Sequence, residues 1–281
     1  MGAMGEWDDA RVPRPLADIL ELHPLLPTAW AAATRAADFL VHERGSSLTV
    51  MSKTSPVDAV TAMDIGAEER VVSRILEDRP EDAILGEEGG ERAGTSGVRW
   101  IIDPLDGTVN YLYRFPDWAV SIAAEDQAST LLGVIVAPLL NEAYVGLRGR
   151  GSWVVHGDVA DEMRVGTCAD LSRALVGTGF GYLQERRLVQ GRVVAQLLGE
   201  VRDIRRRGAA TLDLVALARG RLDGYYELGL QPWDYAAGAL IAAEAGARVG
   251  SLDSEDVSEG TFVGAVPSIF EPLREALRRF S

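Results

Sequence analysis

The stretch Trp100-Ile101-Ile102-Asp103-Pro104-Leu105-Asp106-Gly107-Thr108 runs an apolar segment straight into two carboxylates three residues apart. The apolar part reads as a buried strand, and the acids mark a turn at its carboxyl end. Pro104 fixes its own φ and biases Asp103 toward extended geometry, so Asp103, Asp106 and the Leu105 carbonyl can converge on one hard cation. Oxygen donors of this kind select Mg²⁺ or Mn²⁺. Gly107 lets the backbone approach a ligand closely, and Thr108 opens a short helix whose free amides favour a phosphate oxygen. Asp-Gly is also an ordinary turn pair, so the reading needs support from the rest of the chain.

That support comes first from the flanks. A short apolar run at 83–85 leads into Gly86-Glu87-Glu88-Gly89, a second strand end carrying acids. Before it, Ile65, Val71, Val72, Ile75 and Leu76 give a helical stripe ending at Pro80, with Asp64 near its first turn, and a helix is expected over 28–44 with Gly45 as its stop. The polar segment 51–61, with Pro56, reads as a loop. Downstream, runs at 118–124, 131–137, 143–147 and 153–155 read as an antiparallel meander, so the first half is helices packed on a sheet. After about residue 165 strands alternate with helices: strands at 174–178, 223–227 and 261–266, helices at 187–200, 209–219 and 232–245, and a last helix opened by Pro267. Two domains, 1–165 and 166–281, are expected.

Composition restricts what such acids do. The 281 residues carry a formal net charge of −14 with a pI near 4.7. That charge argues against nucleic acid as a partner and repels anionic substrates, so phosphate chemistry here must bring cations to the site. No apolar run is long enough to span a bilayer and no leader pattern opens the chain, so no membrane partner and a cytoplasmic location are expected. Cys168 is the single cysteine, read as a buried small hydrophobe, and His23, His42 and His156 show no clustered spacing. A phosphoenzyme mechanism is therefore disfavoured. Three separated acidic ends, near Asp64, at Glu87 and at Asp103 to Asp106, supply enough oxygens for two ions sharing a ligand, an arrangement that clamps a phosphoryl group and activates water.

The string Asp103-Pro104-Leu105-Asp106-Gly107-Thr108-Val109-Asn110, together with Gly86-Glu87-Glu88 and Pro232-Trp233-Asp234-Tyr235-Ala236-Ala237-Gly238, resembles the inositol monophosphatase family of lithium-sensitive, magnesium-dependent sugar phosphatases. The resemblance runs from about Thr28 to the C-terminus. It implies an α/β (α+β) fold, a layered αβαβα sandwich, a homodimer, and two or three Mg²⁺ ions. By it, Glu87, Asp103 and the Leu105 carbonyl bind one metal, Asp103, Asp106 and Asp234 a second, and Glu87 with Asp64-linked water a third. Gly107 and Thr108 amides grip phosphate, Thr108 and Asp64 polarise the attacking water, and the loop carrying Lys53 moves over the site. Glu227 accepts bonds from substrate hydroxyls, while Gly208 and Ala210 offer backbone to the ring. Residue by residue, ordinary explanations remain: Asp234 as a helix-dipole charge, Glu227 as an exposed strand residue, Gly208 and Ala210 as packing positions. Gln231-Pro232 departs from the pair in animal relatives, which bears on leaving-group preference. Arg205, Arg206 and Arg207 read as solvated charges, one of them available to a partner subunit. The expected function is Mg²⁺-dependent hydrolysis of inositol monophosphate, a small-molecule phosphate ester. Histidinol phosphate, fructose 1,6-bisphosphate and a nucleotide 3′-phosphate are alternatives, as is a non-catalytic regulatory relative.

Overall fold

In the computed structural model, which describes residues 12–44, 50–52, 59–258 and 260–280, the chain enters through a short strand and two helices, β1 (Arg14–Pro15), α1 (Leu16–Leu20) and α2 (Leu26–Glu43). Leu26, Ala29, Ala32, Ala33, Ala36, Ala37 and Leu40 recur at three- and four-residue spacing and form the buried face of α2. Strands β2 (Val50–Ser52) and β3 (Ala59–Thr61) pair antiparallel where the sequence predicts only loop. Three-residue strands are too short for alternation to register in a sequence. Lys53 lies outside the described residues. Helix α3 (Ala62–Asp78) then turns Ala67, Val71 and Ile75 inward beside α2.

The middle of the chain supplies β4 (Ala83–Gly86), β5 (Gly90–Arg92), β6 (Arg99–Asp106), helix α4 (Thr108–Leu112), β7 (Ala119–Glu125), β8 (Thr130–Ala137), β9 (Glu142–Leu147), β10 (Gly151–His156) and β11 (Val159–Glu162). Among the described residues these form a nine-stranded sheet in the order β1-β11-β10-β9-β8-β7-β6-β4-β5. It is antiparallel throughout except where β4 runs parallel to β6. Strand β6 does not end before its acids, as the sequence reading has it. It continues to Asp106, with a shift of register against β7 between Asp103 and Asp106. Pro104 cannot donate to the ladder, and an irregularity of this kind bends the strand and re-aims its side chains.

The remainder gives β12 (Leu175–Thr178), α5 (Gln184–Leu197), β13 (Asp203–Arg205), α6 (Ala210–Ala218), β14 (Gly224–Leu228), α7 (Pro232–Glu244), β15 (Arg248–Ser251), β16 (Thr261–Ala265) and α8 (Phe270–Phe280). The second sheet runs β13-β12-β14-β16-β15, with β12 parallel to both neighbours and β16 antiparallel to both of its own. The last helix starts three residues after Pro267, because 267–269 form a turn closed by the Ile269 amide on the Val266 carbonyl.

Packing orders these elements into layers. Helices α2 and α3 cover one face of the first sheet, and α7 crosses its other face against β6 to β10. Helix α6 packs beside α7 and reaches β12, β14 and β16 of the second sheet, while α8 lies on β16 with α5 against it. The result is an αβαβα sandwich with apolar cores on both sides of the first sheet. Close approach of α7 depends on small residues: a Cβ at Gly133 on β8 would stand 2.9 Å from the Ala237 Cα. Among the described residues no helix is long and apolar enough to cross a membrane.

Candidate active site

The bend in β6 delivers Asp103 and Asp106 to the edge of the middle helical layer. Asp103, 2% exposed, accepts a hydrogen bond from the Leu105 amide on Oδ1 at 3.0 Å. Asp106 is held by the start of α6: its Oδ1 accepts from the Ala210 amide at 3.2 Å, and its Oδ2 from the Thr211 amide at 2.8 Å and from the Thr211 hydroxyl. A carboxylate at a helix amino end completes amides that lack partners within the helix. Gly107 follows with φ +92°, a left-handed conformation, and a Cβ there would meet the Asp117 carbonyl at 2.8 Å. Only glycine fits that turn without strain.

Helix α3 provides the next pair. Asp64, buried in its first turn, lies 2.9 Å from Thr108 Oγ1, whose single proton is shared between Asp64 and the Leu105 carbonyl at 3.1 Å. Four residues on, on the same face, the buried Glu68 accepts the amides of Glu88 (2.9 Å) and Gly89 (2.5 Å). That grip fixes the turn bearing Glu87, whose own amide donates to the Ile102 carbonyl at 3.2 Å. On α7, Asp234 occupies the third position of a capping box, with Oδ2 accepting the Gln231 amide at 2.6 Å.

A cavity of about 450 Å³ brings these together. Glu87, Asp106, Gly107, Gly208, Ala210, Glu227 and Asp234 all line it. Asp103 stands behind the lining, close enough for Glu87, Asp106 and Asp234 to act on its charge. Asp64, Leu105 and Thr108 are likewise one layer back, joined through the Thr108 hydroxyl. Glu227, on β14, accepts the Tyr225 hydroxyl at 2.5 Å. The Ala210 amide, which the resemblance offers to a substrate ring, is turned here to Asp106.

The electrostatics follow from burial and crowding. Burial pushes Asp103 well above the usual carboxylate range, and Glu87, Asp106 and Asp234 push it further. Burial lifts Asp106 to about 6 against the hydrogen bonds from Thr211 and Ala210. Burial also raises Asp234 and takes Glu227 to about 7, with the Tyr225 hydroxyl opposing the latter. Each acid makes its neighbours costlier to ionise.

Three comparisons bear on this geometry. The sequence profile of the inositol monophosphatase family matches residues 21–279. The chain belongs to the inositol monophosphatase family. It is 40% identical over 270 residues to the inositol-1-monophosphatase of Mycobacterium leprae, covering 90% of this chain and 93% of that one. It is also 38% identical over 263 residues to the Nus factor SuhB of Escherichia coli, covering 92% and 97%. Among solved structures, the extragenic suppressor protein suhB of Bartonella henselae superposes with a TM-score of 0.84 at 33% identity, covering 92% of this chain and 99% of that one. The chain is thus a phosphatase of this metal-dependent family, and the αβαβα sandwich is the family's fold.

The donor chemistry fits the divalent ion that such a family uses: carboxylate and carbonyl oxygens only, with charges that burial and mutual repulsion leave uncompensated. Among the described residues no three acidic, histidine or cysteine side chains are already drawn around one point at metal-binding distance. The hydrogen bonds give the reason. Asp103 Oδ1, both oxygens of Asp106 and Asp234 Oδ2 are each turned to a backbone amide, so ion binding requires them to share or exchange those bonds.

Several residues of the site escape a sequence reading. Glu68 is recoverable from its i, i+4 spacing to Asp64, and Asp213 from its place inside the apolar run Leu212-Asp213-Leu214. Asp213 lines the cavity, 1% exposed, with no hydrogen-bond partner for Oδ1 among the described residues. The reading of Arg205 to Arg207 as solvated charges holds for Arg205, half exposed and paired with Asp203, and for the exposed Arg206, but not for Arg207. Arg207 binds Asp117 through Nε (3.1 Å) and Nη2 (2.7 Å), and Arg206 lines the cavity. Cys168 is only partly buried, not enclosed as predicted.

Proposed function

We propose that this chain hydrolyses the phosphate monoester of a small soluble polyol, with inositol 1-phosphate as the first substrate to test. The observation that carries the reading is the meeting of Glu87, Asp103, Asp106 and Asp234, from three separate elements, at one cavity that Glu227 and Gly208 also line. Names among the relatives divide between inositol-1-monophosphatase and Nus factor, and a buried acid cluster in a cavity favours the enzyme.

Glu87, Asp103, the Leu105 carbonyl, Asp106 and Asp234 would hold Mg²⁺, which when bound supplies charge neutralisation and Lewis acidity to the phosphoryl group. The Thr108 hydroxyl, donating to Asp64, keeps its lone pairs for a water proton, so the pair orients the water and takes its proton as the water oxygen attacks phosphorus. The P–O ester bond breaks as the water oxygen bonds to phosphorus, and a solvent water protonates the departing alkoxide. The amides of Gly107 and Thr108 bind phosphate oxygens, and Glu227 with the backbone at Gly208 reads the polyol, the Ala210 amide being taken up by Asp106. A homodimer is part of the proposal on family resemblance, and light scattering at the monomer mass would refute it. The function is tested by phosphate release from inositol 1-phosphate, histidinol phosphate, fructose 1,6-bisphosphate and a nucleotide 3′-phosphate at matched Mg²⁺, with and without chelator. Release that is indifferent to chelator, or absent on every ester, would overturn it.

A further inference from the structure

Gly107, in the proposed phosphate grip, and Gly208, in the proposed polyol reader, both line the cavity in left-handed conformations, with φ of +92° and +90°. A strap of three side chains ties the two turns together. Asn110, in α4, commits both protons of its side-chain amide to it: Nδ2 donates to the Asp117 carbonyl at 2.7 Å and to the Arg207 carbonyl at 2.9 Å. A Cβ at Gly208 would stand 3.2 Å from that same nitrogen. Arg207 returns the connection, donating from Nε and Nη2 to Asp117 Oδ1 at 3.1 and 2.7 Å and from Nη1 to the Leu212 carbonyl of α6 at 3.1 Å.

The two sides of the strap are held differently. Behind the loop 113–117 stands Arg44, just past the end of α2, whose Nη2 donates to the carbonyls of Tyr111 at 3.3 Å and Phe115 at 3.0 Å. The Asp117 carbonyl also forms the floor under Gly107, the contact that excludes a Cβ there. Residues 206–208 belong to no helix or strand, and the bonds of Arg207 and Asn110 hold them. An exposed Arg–Asp pair contributes little on its own. Here the two side chains are only 25% and 29% exposed, and one guanidinium serves both Asp117 and α6.

We infer that Asn110, Asp117 and Arg207 are positioning residues that set the distance between the phosphate grip and the Gly208 backbone, so that a polyol phosphate is held at both ends at once. The inference rests on the hydrolase reading proposed above. A polyol ester needs both turns in register, because its phosphate is fixed at Gly107 and Thr108 while its alcohol is read at Gly208 and Glu227. An aryl phosphate uses the first alone. Cutting the strap therefore penalises the two esters unequally, since misplacement acts through the part of the substrate that is misplaced. A general loss of folded protein penalises them alike.

The test measures kcat and KM for inositol 1-phosphate and for 4-nitrophenyl phosphate with the unsubstituted protein, D117N, R207Q, D117N/R207Q and R207K. R207Q is expected to lower kcat/KM for inositol 1-phosphate about tenfold, mainly through KM, and to leave the aryl ester within about twofold. The double variant falls no further than R207Q, because one link cannot be cut twice. R207K recovers part of the loss, since an ammonium keeps the charge but not the fork. Equal losses on the two esters, or single losses that multiply in the double variant, overturn the positioning role. Absence of phosphate release from every ester with the unsubstituted protein overturns the hydrolase reading, and the strap's role with it. Melting curves check that R207Q is folded; if it is not, D117N, which leaves Arg207 its bond to Leu212, carries the same comparison.

Discussion

Replacing Glu68 by glutamine isolates the support of one proposed ligand. Glu68 is 5% exposed and accepts two amides, from Glu88 at 2.9 Å and Gly89 at 2.5 Å, and a Cβ at Gly86 or Gly89 would fall 2.6 Å from its carboxylate. Glutamine keeps one carbonyl oxygen but turns an NH₂ donor toward the other amide. A buried hydrogen bond to a charged group contributes about 1.5–3 kcal/mol, so losing one and weakening the other costs about 2–3 kcal/mol. At about 2–4 °C per kcal/mol for a chain of this size class, Tm drops by roughly 5–10 °C. The turn bearing Glu87 loosens with it, and the Mg²⁺ concentration giving half-maximal activity rises about tenfold or more, as for other partners that orient a metal ligand. Differential scanning fluorimetry and a Mg²⁺ titration of phosphate release measure the two effects. A Tm within about 1 °C of the unsubstituted protein, with an unchanged titration, refutes the reasoning.

Asp103→Asn should lower kcat by about two orders of magnitude or more while raising the Tm of the metal-free protein, since it removes the charge that burial and Glu87, Asp106 and Asp234 disfavour. Unchanged turnover, or a lower metal-free Tm, contradicts it. Glu227→Gln should impair use of inositol 1-phosphate more than that of an aryl phosphate, because only the former has ring hydroxyls for Glu227 to accept. Equal losses would assign Glu227 to structure. Asp82, 1% exposed, has burial working to raise its pKa, but hydrogen bonds from Arg79, Ser96 and Trp100 win and hold it below its ordinary value. A folded-state pKa depressed in this way contributes stability that is complete above the unfolded value of about 3.9 and is lost as pH falls through the folded one. Asp82→Asn should therefore cost about 1–3 kcal/mol near pH 7 and progressively less below about pH 4, as read by urea unfolding at both. A cost that does not depend on pH would exclude ionisation as its source.

The acids were legible in the sequence because each follows an apolar run that can only be a strand or opens a helix with a clear stripe. Asp64, Glu87, Asp103 and Asp106 could be named that way, and the resemblance supplied Asp234 and the other companions. Their convergence was not legible, since it depends on which face of β6 the bend presents to α6 and α7. Arg206 and Arg207 stood together in a run of three arginines. Only the fold separates the guanidinium that binds Asp117 from the one left beside the cavity. Short strands such as β2, β13 and β15 escaped because three or four residues are too few for an alternation to register. Non-local pairing made them strands.

Gly133 acts as a spacer of zero thickness. Ala237, the residue it touches, lies three positions beyond Asp234, within one turn of the same helix. The depth to which α7 settles onto the first sheet therefore sets how far the Asp234 carboxylate reaches. A single methyl group added on β8 would lift that helix end, and substrate preference could drift through a position that never meets the substrate.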